Sequence, residues 1–237
     1  MGGIAYGVGV GPGDPELMTQ KAIRIIRENQ VIAVPGKEAK ESIAYKIAVA
    51  MVPELVQKEL VPIPMPMVRN RELLHGEHLK GVRLIESYLD QGKNVVYLTL
   101  GDPSIYCSFS YLQQILLSDG YAVETVPGVP SFCAAAARLN LPLTEWDEPL
   151  HLVPAVHETR GSFREPGTYV LMKSSSRMAE TKELLRNSKK EVFAVENCGM
   201  ETEKIYRGVE EIPDDAGYLS LLIAKDPAGK DHAASFE

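Results

Sequence analysis

The sequence predicts an α/β protein of two domains, the first built on a mostly parallel sheet and the second on a mixed one. Three observations carry that prediction. In the first half, short apolar runs alternate with stretches whose apolar residues recur at helical spacing, the pattern of strand-helix-strand units. Those runs break off in turns rich in Gly, Pro and Asp. Beyond Pro127 and Gly128 strands outnumber helices, so antiparallel pairs are expected, and the boundary is placed between residues 1–126 and 127–237.

The chain opens with an apolar strand, "GIAYGVGV". "DPELMTQKAIRIIREN" then reads as one helix, with Leu17, Met18, Ala22, Ile25 and Ile26 on one face, Asp14 as N-cap and Pro15 as first helical residue. A strand at 31–34, a helix around 41–52, the apolar run 60–67, a helix around 72–91 and a buried strand at 94–100 follow. Another helix runs through "SFSYLQQILLSDG", and "AVETV" is a strand. The second domain starts with a small-residue helix at 130–140. Strands are expected near 151–156, 168–173, 191–197, 203–207 and 218–225, with one further helix in "RMAETKELLRNS". The polar tail "DPAGKDHAASFE" reads as loose.

Composition bounds the function. With 45% hydrophobic residues among 237, a sizeable core is expected. The formal net charge of -7 argues against nucleic acid and anionic membranes as partners, because both require a basic field. A small soluble ligand fits better. No signal pattern and no apolar run of about 20 residues is visible, so the chain reads as cytoplasmic. Cys107, Cys133 and Cys198 lie far apart without ligand spacing, which suggests neither zinc nor a disulfide framework; Cys107 and Cys133 read as small buried residues. His75 and His78 stand at helical spacing with no third ligand, so no metal site is expected.

The stretch "GVGVGPGDPE" looks like a phosphate-binding loop and fails as one. Counting from Gly7 or from Gly9 puts Pro12 or Asp14 where a dinucleotide fingerprint needs its third glycine. No acid ends the second strand, and no Gly-Lys-Ser/Thr exists for a Walker loop. Pro12 removes an amide donor, and Asp14 puts a carboxylate where a phosphate would sit. A second signal is "YLTLGDPSIYCSF", where a strand stops at Gly101, Asp102 and Pro103. It suggests a lone carboxylate aimed outward at the carboxyl edge of the sheet, where ligands of open α/β sheets gather; taken by itself, Gly-Asp-Pro is a common turn, and a capping Asp is the plain alternative.

Together, "GVGVGPGDPELMT", "GDPSIY" and "VPGVPSFCAAAARLNLPL" resemble the tetrapyrrole methylases, and the resemblance continues through "TYVLMK", "VFAVENCG" and "YLSLLIAKD". Leu100 before Gly101, and Cys107 and Ser108 after Tyr106, separate the chain from the uroporphyrinogen methylases. It is most similar to members acting at carbon 20 of the ring, which carry serine at the position of Cys107. The resemblance implies a two-domain tetrapyrrole methylase fold, a cofactor cleft between the domains, a homodimer, S-adenosylmethionine as methyl donor and precorrin-2 or its cobalt-bearing counterpart as substrate. It implies donor contacts at Pro12, Leu100, Gly101, Asp102, Ile105, Pro130, Ser131, Met172 and Cys198, with Tyr106 added by adjacency.

Transfer from a sulfonium needs alignment and exclusion of water more than a strong base. No catalytic residue is therefore assigned, and Asp102 is the best single candidate. A polycarboxylate substrate calls for local cations. Arg69 and Arg71 are the expected grips, within a basic group that also holds His75, His78, Lys80 and Arg83, with Lys173 and Arg177 further on; the bland alternative is a solvated helix face. Three other functions stay open: a tetrapyrrole methylase acting at another carbon, a non-catalytic tetrapyrrole or cofactor binder, and a diphthamide-forming protein methylase of similar architecture.

Overall fold

The computed structural model describes residues 2–66, 70–155, 163 and 165–227. It divides into two compact units, Met1–Pro130 and Ser131–Glu237. The expected boundary lay four residues earlier; Pro127–Pro130 stays with the first unit, where the Gly128 amide donates to Asp102. The tail from residue 228 and Arg69 lie outside the described residues.

In the first unit, β1 (Ile4–Gly9), β2 (Val31–Pro35), β3 (Glu59–Ile63), β4 (Val95–Thr99) and β5 (Ala122–Val126) form one sheet in the order β3-β2-β4-β1-β5. Every pair is parallel. Both faces are covered, as an all-parallel sheet requires. α1 (Gln20–Glu28) and α2 (Ile43–Met51) pack on the face carrying Tyr6, Val8, Ile32, Val34, Val96 and Leu98. α3 (Arg71–Leu89) and α4 (Phe109–Ser118) pack on the face carrying Ala5, Ala33, Val61, Val95 and Tyr97.

One local expectation fails. Asp14 does cap and Pro15 does open a helix, but only a 3-10 turn, Pro15–Leu17, with the Glu16 amide donating to Asp14 Oδ1 at 2.9 Å. Met18 and Thr19 are extended, and α1 starts afresh with Thr19 Oγ1 accepting from the Ala22 amide at 3.1 Å. Two N-caps five residues apart compete, and the second one starts the α-helix. Leu17 and Met18 are therefore not part of its apolar face.

The second unit holds α5 (Ser131–Leu139), β6 (Leu150–Pro154), β7 (Thr168–Met172), α6 (Met178–Arg186), β8 (Glu191–Glu196), β9 (Lys204–Arg207) and β10 (Ser220–Lys225). The sheet order is β6-β7-β10-β8-β9. β6 and β7 are parallel and the other pairs antiparallel, the mixture the strand-rich rhythm predicts. Cys133 corrects the sequence reading, because it is exposed while Cys107 and Cys198 are buried. Phe132, Ala135, Ala136 and Leu139 take the buried face of α5 at helical spacing, and Cys133 falls on its other side.

Candidate active site

The chain leaves β1 for α1 on one face of the parallel sheet and leaves neighbouring β4 for α4 on the other. That divergence makes the carboxyl edge between β1 and β4 a topological switch point. Here the crevice is laced shut by the chain. The Gly101 amide donates to the Gly11 carbonyl at 2.8 Å, and the Gly11 amide returns a bond to the Gly101 carbonyl at 3.3 Å. Both glycines have positive φ, +79° and +69°, which an L side chain adopts only with strain.

The turn after β5 joins them. A Cβ on Gly128 would stand 2.2 Å from the Gly101 oxygen and 2.9 Å from the Gly9 carbonyl carbon, so the three turns touch through bare backbone. Asp102 ties the same turns with its side chain. Oδ1 accepts from the Ser104 amide at 2.8 Å and from the Ser104 hydroxyl, while Oδ2 accepts from the Gly128 amide at 2.9 Å.

Asp102 is thus the capping residue of its own turn, the plainer of the two sequence readings, and not a lone carboxylate. A carboxylate offers about four acceptor positions, and three are taken, leaving one on Oδ2. Partial burial pushes its carboxyl up, but the hydrogen bonds from Ser104 and Gly128 outweigh that and hold it below the ordinary range. It is anionic at neutral pH. The Gly101–Tyr106 and Pro127–Pro130 turns hold no Lys or Arg, and the first turn adds only Asp14, whose carboxylate occupies an amide an anion would need. This edge suits a cationic ligand and rejects pyrophosphate.

The far end of the 101–106 turn is anchored by Cys107, which is 9% exposed. Its sulfur lies 2.9 Å from Thr99 Oγ1 and accepts from the Phe109 amide at 3.3 Å. The thiol therefore caps α4 from inside the turn. Between the two anchors, Tyr106 has φ +47° and is 43% exposed, at a backbone cost of about 1–2 kcal/mol.

Of the other predicted residues, Pro12 is buried, and Leu100, Ile105 and Pro130 are half-buried on the same unit. Ser131, half-buried, opens α5. Met172 ends β7 half-buried, and Cys198 is buried in the turn after β8. Arg69 is not among the described residues, and neither is the Arg71 side chain, although its backbone begins α3. Lys80 pairs with Glu77 at 2.6 Å, Arg83 with Glu86 at 2.6 Å and Asp119 at 3.2 Å, and Arg177 with Glu180. Those cations are spent locally, as on a solvated helix face. His78 is buried and stacks on Tyr111 with ring centroids 4.9 Å apart. Among the described residues no three His, Cys, Asp or Glu side chains could hold a metal ion.

Gly9, Gly128, Ser104 and Thr99 were missed as site-building residues. Gly9 and Gly128 had a signal, a glycine at the end of an apolar strand, but the close approach that requires them joins segments far apart in sequence.

Residues 5–213 match the family model for Tetrapyrrole (Corrin/Porphyrin) Methylases. A relative from Methanocaldococcus jannaschii, named a probable cobalt-precorrin-2 C(20)-methyltransferase, is 35% identical over 93% of this chain and 95% of its own length. A precorrin-2 C(20)-methyltransferase from a Sinorhizobium species is 27% identical over 97% of each chain. Among solved structures, the uroporphyrin-III C-methyltransferase from Thermus thermophilus complexed with S-adenosyl homocysteine superposes with a TM-score of 0.68 and 28% identity, covering 94% of this chain and 97% of that one. Ordered turns, sheet topology and sequence agree: the chain belongs to the tetrapyrrole methylases.

Proposed function

We propose that the protein transfers a methyl group from S-adenosylmethionine to carbon 20 of precorrin-2 or its cobalt-bearing counterpart in cobalamin biosynthesis. The observation that carries the reading is the carboxyl edge at β1, β4 and β5, where three turns are locked by the Gly11–Gly101 bonds and by Asp102. The names of both C(20) relatives support the ring position. The sulfonium supplies an electrophilic methyl. What the chain supplies is placement, which we assign to main-chain groups at Pro12, Leu100–Asp102, Ile105, Tyr106 and Pro130 of the first unit and at Ser131, Met172 and Cys198 of the second, plus one free acceptor position on an ionised Asp102. Alignment of this kind is worth about 7–11 kcal/mol of barrier, enough to make a dedicated base unnecessary for carbon attack.

Arg69 and Arg71 are assigned to the substrate's carboxylates, and the working form to a cytoplasmic homodimer. Among the described residues no helix is long and apolar enough to cross a membrane. Incubation with methyl-labelled S-adenosylmethionine and a panel of tetrapyrroles, with and without cobalt, tests the function. Label should enter carbon 20 of one precorrin-2 form. Labelling at another carbon, or binding without transfer, would replace the reading with a different ring methylase or a carrier.

A further inference from the structure

The second unit has an edge of its own where β7 and β8 end and β10 begins. The register places Leu221 beside Met172 and Ser220 beside Glu196, and the Asn197 amide donates to the Leu219 carbonyl at 3.2 Å. Two fully or nearly buried hydroxyls sit at this edge, Ser174 at 0% and Ser220 at 5% exposure, and neither oxygen has a hydrogen-bond partner among the described residues. Buried polar groups are almost always paired, so unpaired ones together mark a place where a ligand or water completes them. The turn from Asn197 to Glu203 follows β8, on the side of β10 away from β7, and has positive φ at Asn197 and Gly199.

Glu203 organises that turn. Its carboxylate accepts from Arg138 Nε at 2.8 Å and Nη2 at 2.6 Å, from the Gly199 amide at 2.6 Å, and from the Cys198 thiol. Burial pushes the Glu203 carboxyl up, but Arg138, Gly199 and Cys198 together hold it below the ordinary range. The arrangement repeats the logic of Asp102, a carboxylate that grips a glycine amide in a ligand-edge turn, with the difference that an arginine fork braces this one from α5. All acceptor positions of Glu203 are taken, so it has none left for a ligand.

We propose that Glu203, braced by Arg138, is a positioning residue that sets the Cys198–Gly199 turn for binding of the methyl donor. This rests on the proposed function, in which Met172 and Cys198 contact that donor. Glu203→Gln keeps the volume and removes the charge that holds both the fork and the Gly199 amide. The affinity for adenosylhomocysteine by calorimetry, and the KM for S-adenosylmethionine, should weaken roughly tenfold, with kcat changing less than about twofold. Arg138→Lys, which keeps the charge but loses the fork, should give a smaller shift in the same direction and guards against a misfolded first variant. The exchanged pair Arg138→Glu with Glu203→Arg restores attraction but offers Gly199 no acceptor; it should recover thermal stability without recovering affinity.

Unchanged affinity in folded Glu203→Gln, or affinity restored together with stability in the exchanged pair, would overturn the positioning role alone. Absence of adenosylhomocysteine binding by the wild-type protein would instead overturn the function on which it rests.

Discussion

Gly128→Ala is the sharpest test of how the first unit's edge is built. The new Cβ would lie 2.2 Å from the Gly101 oxygen, 2.9 Å from the Gly9 carbonyl carbon and 2.9 Å from Gly9 Cα, all of them backbone atoms. To reach ordinary van der Waals separation the turns must part by roughly 1 Å. That stretches the 2.9 Å bond from the Gly128 amide to Asp102 beyond hydrogen-bonding range. Losing one charge-assisted bond costs about 1.5–3 kcal/mol, and weakening the neighbouring Gly11–Gly101 pair adds about 0.5–1.5 kcal/mol, so the sum is about 2–4.5 kcal/mol. Urea unfolding should show this as a lower midpoint with an unchanged slope. Calorimetry should show adenosylhomocysteine binding weakened by at least about tenfold, since 1.4 kcal/mol of misplacement suffices. The matched control is Gly76→Ala in α3, where a Cβ meets nothing within 4 Å; it should leave binding unchanged and add about 0.5–1 kcal/mol of stability. Wild-type stability and affinity in Gly128→Ala would refute the packed-turn account.

Asp102→Asn should lower kcat/KM by more than about a hundredfold, the cost of losing a charge in a preorganised polar site, while the fold survives by circular dichroism; activity near wild type would show that the ionised carboxylate is not required. The Asp102 carboxyl is held low in the folded state, so its stabilisation is present above the ordinary carboxylate range and is lost as pH falls through its lowered value. The stability gap between wild type and Asp102→Asn should therefore be constant above about pH 5 and shrink below about pH 4; a gap that widens on acidification contradicts the assignment. Cys107→Ser should keep both bonds of the thiol and stay within about 1 kcal/mol of wild type, whereas Cys107→Val leaves the Phe109 amide without its acceptor and should cost about 1–3 kcal/mol in urea unfolding.

The sequence by itself determined the alternation of elements, the parallel and mixed character of the two sheets, and the turns at Gly9–Asp14, Gly101–Tyr106 and Pro127–Pro130, because apolar periodicity and turn chemistry are local. It also determined, through Pro12 and Asp14, that the first turn cannot serve as a phosphate loop. Only the tertiary structure decided which of these turns meet. Gly101 faces Gly11 across 90 residues of chain, Asp102 reaches Gly128, and Arg138 reaches Glu203, and nothing in the spacing of those residues announces it. Asp102 read from sequence is either an outward charge awaiting a ligand or a turn cap; in the fold, three of its four acceptor positions are occupied. The same holds for Cys107 and His78, whose roles follow from burial. Hydrogen-bond saturation and close approach are properties of pairs distant in sequence, and only the strand order β3-β2-β4-β1-β5 brings those pairs of the first unit to one edge.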